Sequence, residues 1–218
     1  MSKLSRLLVF ACLLGLLPTA GSLANSEEDK PTVTLRWALG AMETDSDAPN
    51  PIHRDTQLSS GTRLKFLVEP LSRGTVYLIL LDSSDEVSVL YHQPGSQGAG
   101  DAVPAYIPPG SQWFELDDTT GMETFFLLAS VDPMDELTAL LDRHESAKTD
   151  SRKAVGTDIV AEIRRLQKMH RNFSRPVEKP VIIGGQTRGT GDANSAIDRL
   201  AVEVEAETFY GKTITIEH

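Results

Sequence analysis

Three hydrophobic patterns follow one another along this chain. Leu7 to Leu17 is an almost uninterrupted apolar run. Beyond it, Thr32 to Trp37 alternates, with Val33, Leu35 and Trp37 on one side, as a half-buried strand does. Glu43 to His53 is rich in acids and prolines, has little to bury, and is predicted to be a linker. Alternation then returns in five runs, Arg63 to Glu69, Thr75 to Leu81, Val87 to His92, Gln112 to Leu116 and Glu123 to Ala129. These are predicted strands, joined by turns at Leu71–Gly74, Asp82–Asp85 and Asp117–Gly121. Short connections predict antiparallel neighbours. The gap from Gln93 to Ala105 holds Gly95, Gly98 and Gly100 and is predicted to be a mobile loop.

The period then becomes helical. Asp132 suits an N-cap and Pro133 the first helical position, with Leu137, Leu140 and Leu141 on one face of a helix that fades near Glu145. Ile159, Ile163, Leu166 and Met169 mark a second amphipathic helix, running to Phe173, whose polar face carries Glu162, Arg165 and Lys168. Ser174 to Gly191 is loop-like, with Val181-Ile182-Ile183 as a possible short buried strand. Leu200 to Phe209 and Thr213 to Glu217 alternate around Gly211-Lys212 and predict a closing hairpin or strand pair. The expected fold is β-rich (α+β), an antiparallel β-sandwich or twisted sheet with two helices packed beside it. Its expected divisions are 1–24, a signal peptide; 25–57, an N-terminal strand and linker; 58–145, a β-rich domain; and 146–218, a helix, loop and closing strands on the same core.

The N-terminal run has the marks of an export signal. Lys3 and Arg6 precede it, Pro18 breaks it, and the small residues Thr19 to Ser22 lead to an expected cut after Ala24. Spanning a bilayer core needs about 20 apolar residues, roughly twice this run, so removal is expected and no integral span in the mature chain. The rival is a lipoprotein acylated at Cys12; bulky Phe10 and the apolar residues beyond the cysteine argue against it. Cys12 is the only cysteine, so after cleavage disulfides, thiolate catalysis and cysteine metal sites drop out. The full chain carries a net charge of −10; without Lys3 and Arg6, 19 basic residues face 31 acidic ones, a charge of −12. That sign disfavours nucleic acid and anionic lipid as partners.

Four pieces follow one another in the middle of the chain: Leu58 to Leu64, Gly74 to Leu78 continuing to Ser83, Val87 to Tyr91, and Gly121 to Phe125 continuing to Ser130. In that order they resemble the bacterial domain-of-unknown-function family 4384, over about Leu58 to Leu141. Tyr91-His92 stands where the family often has a Phe-Pro pair. The resemblance implies an accessory module of an exported protein and supplies no catalytic residues.

Motifs for chemistry are weak. His53, His92, His144, His170 and His218 show no metal-ligand spacing. Asp82 to Glu86 lacks the order of a calcium loop and is predicted to be a hairpin turn. Ser59-Ser60-Gly61 and Ser195 lack a nucleophile-elbow pattern, and Gly184 to Gly191 lacks the Gly-Lys-Ser/Thr ending of a phosphate loop. One binding cluster remains: Tyr91, His92, Tyr106 and Trp113, with Phe114, around the glycine-rich loop at one end of the expected sheet. On a strand Trp113 and Phe114 point opposite ways, predicting one buried and one exposed. The expectation is a periplasmic or extracellular binding or scaffolding module without catalysis or cofactor, acting on another envelope protein. The alternatives are a hydrolase whose site assembles only in three dimensions and a purely structural envelope component.

Overall fold

The computed structural model describes residues 32–95, 103–171, 176–180 and 193–218. The expected signal with its cut after Ala24, the strand at Val181–Ile183, the glycine-rich stretch 184–191 and most of the Gln93–Ala105 loop lie outside them. In chain order the elements are β1 (Val33–Met42), β2 (Asn50–Pro51), β3 (Thr56–Gln57), β4 (Arg63–Pro70), β5 (Thr75–Leu81), β6 (Val87–Gln93), β7 (Ala105–Ile107), β8 (Phe114–Glu115), β9 (Met122–Ser130), α1 (Asp135–Ser146), α2 (Thr149–His170), β10 (Val177–Pro180), α3 (Ala193–Asp198), β11 (Val202–Ala206) and β12 (Phe209–Glu217).

They form an α+β sandwich. The first sheet has the order β10-β11-β1-β4-β7, with β2 on β1 and β8 on β4; the second has the order β3-β12-β9-β5-β6. All pairings are antiparallel except that of β3 with β12. Between the sheets lies a core in which Leu35, Trp37 and Leu39 of β1 meet Phe66, Leu78, Phe125, Val204 and Ile214. On the outer face of the second sheet, Leu137 of α1 and Ile159 and Ile163 of α2 pack on Tyr77, Ile79 and Phe126. The short α3 covers the outer face of the first sheet, setting Ile197 against Ala38 and Leu67. The strands after residue 200 and the one before residue 43 thus share one core with the 58–145 segment.

Several local expectations change. β1 runs to Met42, because beyond Trp37 both faces are covered, by the core and by α3, and a strand buried on both sides need not alternate. The turn at 71–74 does not join neighbours; it carries the chain from β4 in one sheet to β5 in the other. Gly74 permits this crossing, since a Cβ there would lie 2.5 Å from the Ser130 carbonyl oxygen. Likewise β11 and β12 are no hairpin. They lie in different sheets, and Gly211-Lys212 falls inside β12.

At the start of α1 the cap position belongs to Met134, which makes no side-chain cap bond, and Asp132-Pro133 precede the helix. Burying Met134 beneath the helix and bonding the Val131 N–H to the Thr208 carbonyl fix that entry instead. α2 begins ten residues before Ile159, and its Glu162 is buried, not solvated, because Arg165 folds over it with bonds of 2.6 and 2.7 Å. Met169 is exposed rather than part of the apolar face.

Candidate functional site

The four aromatic and histidine residues chosen from the sequence divide among three packing environments. Tyr91 pairs with Leu78 and faces the inter-sheet core, its hydroxyl donating to Gln93 Oε1 at 3.1 Å. His92 points the other way and stacks on Tyr77 at 4.3 Å between ring centres. Burial lowers its pKa from the usual imidazole value, opposed by the Asp142 charge. Tyr106 and Trp113 do come together, on the outer face of the first sheet. The Tyr106 hydroxyl donates to Asp198 Oδ1 at 2.8 Å; burial first, and then this bond to a carboxylate, push the phenol's pKa well up. Trp113 and Phe114 face opposite ways as expected, yet both are half-buried, Trp113 against α3 and Phe114 against the core.

One lateral opening of the sandwich, where β10 ends the first sheet and β12 lies near the end of the second, is closed by ionisable groups. Glu178 accepts from the Tyr210 hydroxyl at 2.9 Å and from Lys212 Nζ at 3.2 Å. Lys212 Nζ also lies 5.6 Å from the centre of the Trp37 ring, whose edge meets His53. Burial, then the Glu178 charge, raise the Tyr210 pKa strongly, and burial with Lys212 lowers that of His53. Tyr210 is only 1% exposed, which leaves its hydroxyl out of reach of a substrate. This group is a latch between two sheet edges.

A groove of about 810 Å³ begins beside that latch, between the C-terminal half of α2 and the outer face of β12. Arg164, Gln167, Lys168 and Arg171 line one wall. Their spacing of three, four and seven puts them on one helix face, along about 10 Å at 1.5 Å per residue. Phe209, Gly211 and Thr213 form the other wall, and Tyr210 and Pro176 border it. Gln167 Nε2 bridges the walls by donating to Thr213 Oγ1 at 2.9 Å. At one end His170 stacks on Phe209 at 4.6 Å; burial lowers its pKa, with Asp132 opposing and Arg165 adding to the shift. Gly211 keeps α2 close, because a Cβ would sit 2.8 Å from Phe209 Cε1 and 3.0 Å from Gln167 Cγ.

Among the described residues no Asp or Glu lines this groove, although acids outnumber bases by 31 to 21 in the whole chain. Among the described residues Arg164, Lys168 and Arg171 make no ion pair, whereas Arg165, one position along, is bound to Glu162 and reaches Glu136 at 3.7 Å. Cations at a helix C-terminus gain about 0.3–1 kcal/mol each from the helix dipole, which explains a preference for them there. The dipole does not explain a concave wall opposite them from which acids are missing. Sequence reasoning placed Lys168 on a solvated polar face and did not single out Arg164 or Arg171. The i, i+4, i+7 recurrence of cations was the signal that pointed to them.

Among the described residues no group of three or more His, Cys, Asp or Glu side chains is placed to hold a metal ion, and no helix is long and apolar enough to cross a membrane. Asp82 caps the turn between β5 and β6 through bonds from the Ser84 and Glu86 N–H groups, so the Asp82–Glu86 run is a hairpin turn. No protein-family model, curated protein or solved structure matches this chain.

Proposed function

We propose that this chain is an exported, non-catalytic binding or scaffolding module of the bacterial envelope, and that it engages another envelope protein through the groove between α2 and β12. The observation that carries this reading is the concentration of three cations that, among the described residues, have neither an ion pair nor a carboxylate beside them on the groove wall, in an otherwise acidic molecule. An acidic chain gains nothing in fold stability from gathering like charges in a hollow, since like charges repel; a bound anion offsets that cost. The N-terminal charge, apolar run and small residues support export, and the resemblance to family 4384 supports an accessory role.

A photo-activated cross-linking residue at position 213, introduced into the chain in its native envelope, tests the site. Adducts with one defined protein are expected from Thr213→cross-linker and not from the exposed Ser88 position at the far edge of the second sheet. Sequencing the recovered chain from its N-terminus is expected to begin at Asn25. Absence of adducts from position 213, with adducts elsewhere, removes the groove from the account.

A further inference from the structure

We infer that the occupant of the groove is a short acidic segment of a protein partner, presented in extended form. This rests on the reading of the groove as the binding surface and specifies what it binds. Along α2 the other Lys and Arg side chains are paired with carboxylates of the chain itself: Lys153 with Asp85 at 2.9 Å, Arg152 with Glu86 at 3.9 Å and Arg165 with Glu162 at 2.6 Å. Lys153 faces a smaller hollow that also holds its partner Asp85, whereas past Glu162 the helix turns Arg164, Lys168 and Arg171 toward the groove in a row about 10 Å long. An extended peptide rises about 3.3 Å per residue, and carboxylates on alternate residues stand roughly 7 Å apart. Two such side chains fit within that row.

The molecule's overall charge selects the length of the ligand. Fields of exposed charges fade over about 8 Å at physiological ionic strength. A short acidic segment therefore meets the groove alone, while a nucleic acid or an anionic bilayer extends past it into the field of a chain with net charge −10. The wall chemistry points the same way. Phe209 and Pro176 give the groove apolar sides next to its cations, which suits a peptide carrying both kinds of side chain. At Pro176 the groove also meets β10, whose residues are all exposed and whose outer edge pairs with no described strand. An extended segment leaving the groove reaches that edge, which no described strand occupies, and can add to it by backbone pairing.

The test uses the purified chain and a fluorescein-labelled peptide, Gly-Glu-Val-Glu-Val-Glu-Gly, followed by fluorescence anisotropy. Binding is expected, weakening as salt rises from about 50 to about 500 mM. It is expected to fall about tenfold or more in the Arg164→Gln, Lys168→Gln, Arg171→Gln triple variant and to be unchanged in an Arg73→Gln, Lys148→Gln control that removes equally exposed cations elsewhere. If the triple variant does not fold, the single Lys168→Glu reversal replaces it with the same expectation. Equal binding by parent and groove variants overturns the proposal, as does failure of the parent to bind. Displacement of the peptide by tripolyphosphate more readily than by its own unlabelled form overturns it in favour of a phosphoryl ligand. Groove-dependent co-sedimentation with phosphatidylglycerol vesicles overturns it in favour of a membrane surface. Cross-links from position 213 that persist in the triple variant leave the groove as the binding surface and remove only its acidic occupant.

Discussion

Lys65 is a lysine inside a strand, a place where the side chain ordinarily reaches water, and here it is fully buried on the outer face of β4. Its Nζ donates to the carbonyls of Pro108, Gly110 and Gln112 at 2.7, 2.9 and 2.8 Å and lies 5.8 Å from the Trp113 ring centre. One side chain thus holds the connection between β7 and β8 to the sheet. Lys65→Met keeps the apolar stem but removes all three bonds. The expected cost is about 2–4 kcal/mol, read as a lower urea midpoint with Trp113 fluorescence as the probe. His144 makes a second case. It is buried in α1, and burial first, then the Arg152 charge, lower its pKa, with Glu86 opposing. Because the folded value lies below the unfolded one of about 6.5, the fold holds the neutral ring. That contribution is complete above pH of about 6.5 and is lost as pH falls through the folded value. His144→Gln is therefore expected to lose less stability than the parent between pH of about 7 and about 5, measured by thermal melting at both. Neither residue's role was visible in the sequence, since both depend on which loops and helices arrive from elsewhere in the chain.

At the scale of elements, α2 joins fold and site, with one face packed on the second sheet and an adjoining one lining the groove. Ile163 is wholly buried against that sheet. Replacing it with Asp puts a charge among apolar side chains and is expected to cost about 3–5 kcal/mol, a large fall in melting temperature. An unchanged melt shows that the helix stands off the sheet. Alternation and short turns were enough to locate β4, β5, β6 and β9 to within a residue or so, because each buries one face or lies between turn residues. β2, β3 and β7 have two or three residues, too few to show a period. Sheet membership was also hidden. Strands of both sheets turn the same kind of residue toward one shared core, so alternation looks identical on either side of it, and β11 and β12 read as a hairpin. The aromatic cluster assembles only in part, Tyr106 with Trp113, for the same reason: β6 and β7 follow each other in sequence but belong to different sheets.

At the scale of the whole molecule, net charge and local charge separate. A total of −10 disfavours long polyanions on average, yet the fold places three cations in one hollow with no carboxylate among its described lining. Composition records the first and cannot record the second, because the empty wall opposite α2 exists only once β12 has packed there. In the proposed function the envelope partner sits in this hollow and not on the Tyr106–Trp113 surface of the opposite sheet. Residue-resolved hydrogen–deuterium exchange of the chain alone and in complex with the partner cross-linked at position 213 decides it. Slowed exchange is expected at Gln167 to Arg171 and Phe209 to Thr213, with Ala105 to Trp113 unchanged. Protection confined to Tyr91, His92 and the Ala105–Trp113 segment, with the groove exchanging as before, contradicts it.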